Sequence, residues 1–230
     1  MKAFKFKGAA QIPHAFDIIL NNRLYCADWS SLNDPMEGFF VYSCRSGMKG
    51  ESEEKERVTR VIQEKKKLRV CSLSETFDCH LLWSHYASGF SGMAIEVELP
   101  DDGSAVRRIN YRGVFASLSI EGKFDPVLAA EEVLSSKYSE WSYEKEIRVL
   151  HRDYYFELAA PVKRVIAGHR MERALFDALN LICHQKGIEF CQTGIGDEGI
   201  DADFVKPPAN IHQLSEPKSR RSPRSSKGPR

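Results

Sequence analysis

Trp141-Ser142-Tyr143-Glu144-Lys145-Glu146-Ile147-Arg148-Val149 interleaves two sets of side chains of opposite character. With the period of two of a β-strand, Trp141, Tyr143, Ile147 and Val149, with the stem of Lys145, fall on one face and suit a core. Ser142, Glu144, Glu146 and Arg148 fall on the other, with successive charges about 7 Å apart. Two carboxylates at that spacing repel, so each needs a partner, and Arg148 can serve one of them. Two readings stay open. The face is either a solvated, salt-bridged exterior or a Glu-x-Glu strand at the wall of a cleft.

Working outward, 230 residues suit a single domain with a real core. Apolar and charged shares of 42% and 28% fit a globular chain, and no apolar run reaches the length of a membrane span. The beginning, MKAFKFKGAA, lacks the apolar centre of a signal peptide. The six cysteines show neither a CxxC pair nor zinc-type spacing, which suits reduced thiols in a cytoplasm. Net charge is unevenly spread. Six basic residues against Glu216 give the last fifteen positions +5 within a chain of +1, so residues 1–215 carry −4. That Ser/Pro/Arg-rich end has nothing to bury. It is expected to be a disordered tail over 213–230, dispensable for stability and able to touch nucleic-acid phosphates only weakly, behind one globular α+β domain over 1–212. The acidic body argues against a dedicated nucleic-acid binder.

Upstream, Ala3–Lys7 alternates as a strand with Phe4 and Phe6 on one face, and a helix follows from Pro13 to Asn21-Asn22. Arg23–Ala27 resumes as a strand and leads into the turn-rich loop Ser30–Gly38, either a rigid connector or a polar lip over a pocket. Glu51–Lys67 reads as a charged surface helix, Leu68–Thr76 as a strand and Asp78–Ser88 as a short helix. On that helix His85 is either a hydrogen-bonded core residue or, with Trp83 and Tyr86, part of a pocket. Met93–Leu99 and Val106–Tyr111 read as a hairpin about Pro100–Gly103. A helix from Asp125-Pro126, with Val127, Ala130, Leu134 and Tyr138 as its stripe, leads to the Glu-x-Glu segment. Val162–Ala167, Met171–Lys186 and Ile188–Thr193 complete a strand–helix–strand run. Gly194-x-Gly196-x-x-Gly199 has dinucleotide-fingerprint spacing, but Ile200–Phe204 is a poor helix and Pro207-Pro208 soon closes the body, so a Rossmann reading fails.

Four segments together resemble the bacterial domain-of-unknown-function family 2971: LYCADWSSLNDPMEG (24–38), VCSLSET (70–76), LLWSHYASGFSGMAIEVE (81–98) and KYSEWSYEKEIRVL (137–150). The family pattern runs Asn-Asp-Pro-x-Glu, Ser-x-Ser-Glu, Trp-x-His-Tyr-Ala and Trp-x-Tyr-Glu-x-Glu-x-Arg. Its first strand carries a Lys-Tyr pair where this chain has Lys5-Phe6. The family is in turn similar to ADP-ribosyltransferases. That implies an α+β fold with a split, mixed β-core and helices around a cleft that takes NAD as a substrate. Glu146 takes the place of the catalytic carboxylate, with Glu144 two positions before it. Ser72, Ser74, Trp83, His85, Tyr86, Asn33, Asp34 and Arg148 are the implied substrate-binding residues. The Arg or His that such enzymes carry on an early strand is missing from Ala3–Lys7.

The implied reaction breaks the nicotinamide–ribose bond of this small-molecule nucleotide and passes the ribosyl group to an acceptor that the sequence leaves open. Two other classes remain: a magnesium-dependent hydrolase using Asp34, Glu37, Glu75, Glu144 and Glu146, and a non-catalytic binding or regulatory module. The transferase reading calls for no metal. It places Glu146, His85 and Tyr86 in one cleft and expects Glu146→Gln to abolish turnover while leaving folding nearly intact; the strand alternation, separately, expects Trp141 to be buried.

Overall fold

The computed structural model describes residues 1–43, 51–113, 115–196 and 199–205. The tail, Pro207-Pro208 and the proposed boundary at 212 lie outside them. The described chain is α+β. Its first part carries β1 (Lys2–Lys7), α1 (Ile12–Asn21), β2 (Arg23–Tyr25), β3 (Ala27–Asp28), β4 (Phe40–Ser43) and α2 (Glu51–Lys66). Next come β5 (Arg69–Ser74), α3 (His80–Tyr86), β6 (Met93–Glu98), β7 (Val106–Arg108), β8 (Asn110–Arg112) and β9 (Ala116–Ser119). The last part carries α4 (Pro126–Leu134), β10 (Ser136–Tyr138), β11 (Glu146–His151), β12 (Tyr155–Glu157), β13 (Arg164–Ala167), α5 (Arg173–Lys186), β14 (Glu189–Gly196) and β15 (Gly199–Val205). No helix among the described residues is long and apolar enough to cross a membrane.

The main sheet is mixed, in the order β15-β14-β13-β6-β1-β5-β11-β7, with β3 also on β5. Only β13 and β14 run parallel within it, joined by α5 as crossover. Alternation then sorts the side chains. Ala3, Cys71, Leu73, Ile95, Ile147 and Val149 face a core shared with Ile18 of α1 and Leu179 of α5. Phe4, Phe6, Ala94 and Ile166 face the opposite way, onto Leu82 and Trp83 of α3. A third core, beyond the other end of β5 and β11, joins Val70 and Leu150 to Val61 of α2 and Leu134 of α4.

The sheet is joined most thinly at its middle. β1 and β6 pair along their whole length, but β1 meets β5 at the single register pair Phe4↔Ser74. Further along β5, Val70 and Arg69 pair with β3 instead. The stretch of β5 between these contacts leaves part of its backbone edge without a strand, and the Lys5 ammonium satisfies the Ser72 carbonyl there at 2.6 Å.

Several sequence expectations are corrected. Ser139–Glu144 is a 3₁₀ turn, and Lys145 breaks it from β11 with a left-handed φ of 43°. Trp141 is therefore half-buried, packed on Tyr143 and beneath the Lys137 ammonium, not a core residue of a strand. The Val106–Tyr111 segment does not form a hairpin with β6, because β1 and β13 occupy both edges of that strand. It splits into β7, which pairs with β11, and β8, which pairs with β10. The stretch through Arg23–Ala27 is interrupted at Cys26 and serves two partners, β12 and β5. The strand beginning near Ile188 runs on to Gly196 and turns back as β15, so the Gly194–Gly199 spacing belongs to a β-hairpin.

Candidate functional site

Where β1 and β5 part, a cavity of about 350 Å³ opens, within the usual size of small-molecule sites. One end is built from the Glu-x-Glu segment. Glu144 ends the 3₁₀ turn and Glu146 starts β11, and both are buried, as are Arg148 and Lys137. The polar face of the segment is therefore withdrawn from bulk solvent and lines the cavity. It meets ions of opposite sign.

Arg148 is the centre of that arrangement and is fully buried. Its Nε donates to Glu146 Oε1 at 2.7 Å, its Nη1 to Glu37 Oε2 at 2.8 Å and to the Leu134 carbonyl at 2.7 Å. Leu134 is the last residue of α4, so the guanidinium also takes up an orphan carbonyl at a helix end. Lys137, on β10, donates to Glu144 Oε2 at 2.7 Å and to Glu146 Oε2 at 3.1 Å. Three carboxylates against two cations leave one net negative charge at this end when all are ionised.

Glu37 is delivered by the Asn-Asp-Pro loop. Asp34 is buried as the device that folds the loop: its carboxylate accepts from the Met36 amide at 2.9 Å and its carbonyl from Glu37 at 3.1 Å. Gly38 follows with φ 73°, where an added Cβ would lie 2.7 Å from the Trp29 ring. Lys65, buried on α2, donates to the Gly38 carbonyl and locks the turn. Asn33 projects the other way and donates to the Tyr86 hydroxyl at 3.0 Å.

Tyr86 donates in turn to Glu144 Oε1 at 2.6 Å. Burial first, and then the negative charge of Glu144, push the phenol well above its ordinary value, so it remains a neutral donor. The two carboxylates are driven apart. Burial raises Glu144 above the ordinary glutamate value, against the pull of Lys137. Burial opposes the charge of Glu146 too, but Arg148 and Lys137 outweigh it, with Ser72 adding a hydrogen bond, and hold Glu146 at about 2.

The implied binding residues separate into groups. Ser72, Ser74, Asn33, Tyr86, Glu144, Glu146 and Arg148 all line the cavity. Ser74 is committed to the fold there, donating to the Glu144 carbonyl at 2.6 Å. Three residues do not belong to the wall. Asp34 is absent from the lining, its carboxylate held by its own turn. Trp83 is wholly buried in the second core, its ring stacked on Phe90 at 5.3 Å and its indole N–H donating to the Phe77 carbonyl at 2.6 Å. His85 is exposed and outside the cavity lining, so the expectation that it shares a cleft with Glu146 and Tyr86 fails for the histidine. On this seven-residue helix, Leu82 and Tyr86 turn one stripe to the cavity, which sends His85 to solvent. For Glu146→Gln the buried pairs with Lys137 and Arg148 argue for a loss of stability, since removing one charge leaves the cations short of a partner.

A magnesium site does not fit these donors. Asp34 is used by its own turn, Glu75 binds Arg108 at 2.7 Å, and the other three carboxylates are held by Lys137 and Arg148. Among the described residues no group of three or more His, Cys, Asp or Glu side chains is placed to hold a metal ion. Sequence reasoning passed over Lys137, Tyr111 and the lysines of β1. Tyr111 accepts the Glu146 amide proton at 2.8 Å, while Lys5 and Lys7 line the cavity from β1. The phase of Lys5 and Lys7 against Phe4 and Phe6 could have found the last two. In comparisons of this chain with family models, with curated proteins and with solved structures, nothing matches.

Proposed function

We propose that the cavity binds NAD and breaks its nicotinamide–ribose bond, as the resemblance to ADP-ribosyltransferase-like proteins implies. The observation that carries this reading is the pair Glu144 and Glu146, on one cavity wall, bridged by Lys137 and driven in opposite directions. Cleaving an N-glycosidic bond builds positive charge on the ribose, and a fixed negative end favours that charge. Environments that separate two neighbouring carboxylates in this way assign them different tasks. Glu146, saturated by Arg148, Lys137 and Ser72, is the permanent anion and frame. Glu144, with Tyr86 on its outer oxygen, is the group that meets a ribose hydroxyl. With water as acceptor, NAD and water give nicotinamide, ADP-ribose and one proton; with another acceptor, its nucleophile takes the place of water.

The test is chromatographic measurement of nicotinamide after incubating the protein with NAD. Release that Glu144→Gln abolishes supports the proposal. A protein whose melting temperature NAD raises, but which releases no nicotinamide, is the non-catalytic module instead.

A further inference from the structure

Lys7 is only 8% exposed and lines the cavity, yet its ammonium makes no hydrogen bond or ion pair with any described residue. A lysine ammonium is almost never buried without a partner. Lys5, two residues earlier on the same face of β1, is occupied by the Ser72 carbonyl. The first turn of α1 brings Gln11 and His14 to the same region, and no side chain caps that helix. Positive potential from two lysines and a helix start therefore collects at this end of the cavity. The carboxylates Glu37, Glu144 and Glu146 line the same cavity, with Ser72 between Lys5 and Glu146.

We propose that Lys7 and Lys5 seat a phosphoryl group, so that the ligand of this cavity is a phosphorylated small molecule with its anionic end on β1. Two ammonium groups match a dianion better than the single charge of a carboxylate. The inference concerns the same cavity as the NAD proposal but does not rest on it, since inorganic phosphate contains no bond to cleave.

Proton uptake is the signature. Burial first, and then Lys5, lower Lys7 to about 7. The groups around it are Lys5 on its own strand, Cys71 of β5 with its hydrogen-bonded partner Cys26, and His14 and Tyr25, which line the same cavity. Cys71 acts on Lys7 in the opposite direction to Lys5, and more weakly. A docked phosphate supplies the missing counter-charge, so above the pKa of free Lys7 binding must draw a proton from solution.

The experiment is calorimetric titration of the full chain with inorganic phosphate at pH 8, in two buffers of different ionisation enthalpy. The expected result is uptake approaching about one proton per phosphate bound. Acetate should bind at least about tenfold more weakly, as should phosphate to Lys7→Met, which keeps the length of the side chain and removes its charge. Absence of binding, phosphate binding without proton uptake, equal affinity in Lys7→Met, or acetate binding as tightly as phosphate would each overturn the proposal. The uptake measurement uses the unaltered protein, so it stands even if the variant does not fold.

Discussion

The Tyr86 hydroxyl lies 2.6 Å from Glu144 Oε1, joining residues 58 apart in sequence and linking α3 to the 3₁₀ turn before β11. Asn33 completes a line from the Asn-Asp-Pro loop through Tyr86 to the carboxylates. Three of the sequence segments singled out by pattern thus meet through side chains.

Tyr86→Phe keeps the ring and removes the proton that Glu144 accepts. A hydrogen bond to a charged group contributes about 1.5–3 kcal/mol, so nicotinamide release should fall about tenfold or more. Loss of that bond also removes an influence that lowers Glu144, so the acid limb of the pH–rate profile should move to higher pH. A rate loss with an unmoved limb would reduce Tyr86 to a packing residue.

Arg148→Met keeps much of the stem and deletes the guanidinium that holds Glu37, Glu146 and the end of α4. Breaking a buried ion network from one side costs about 3–5 kcal/mol. Urea unfolding should show that loss, with Glu146→Gln destabilised in the same direction. A shift under about 1 kcal/mol would place the cluster in contact with solvent.

The faces of β11 were legible in sequence because Ile147 and Val149 alternate strictly with Glu146 and Arg148, and both apolar residues lie in the main core. The four residues before Lys145 alternate just as well, yet they form a 3₁₀ turn, in which Trp141 and Glu144 share a side near Lys137. Period alone cannot reveal that choice, since the turn is held by residues outside the stretch, Lys137 and, 58 residues from Glu144, Tyr86. The lysines of β1 were visible as a phase, but their burial follows from where β1 and β5 part company.

The two tryptophans offer a direct comparison. Trp83→Ala should cost about 3–5 kcal/mol, as for a fully buried aromatic. Trp141→Ala should cost about 1–2 kcal/mol, the scale of a half-exposed ring that loses one cation–π contact. Equal losses in thermal or urea unfolding would restore Trp141 to the core.

The opposed titration of Glu144 and Glu146 is best measured by NMR of the glutamate side-chain carboxyl carbons, assigned with Glu144→Gln and Glu146→Gln. Glu146 has its folded value lowered, so its contribution to stability is complete above the ordinary value of 4.5 and is lost as pH falls toward about 2. Glu144 has its folded value raised, so its contribution is present below 4.5 and is lost as pH rises through the folded value. The expected result is one carboxyl that stays ionised down to acid unfolding and one that protonates above 4.5. Two carboxyls titrating together near 4.5 would contradict the division of roles on which the proposed chemistry depends.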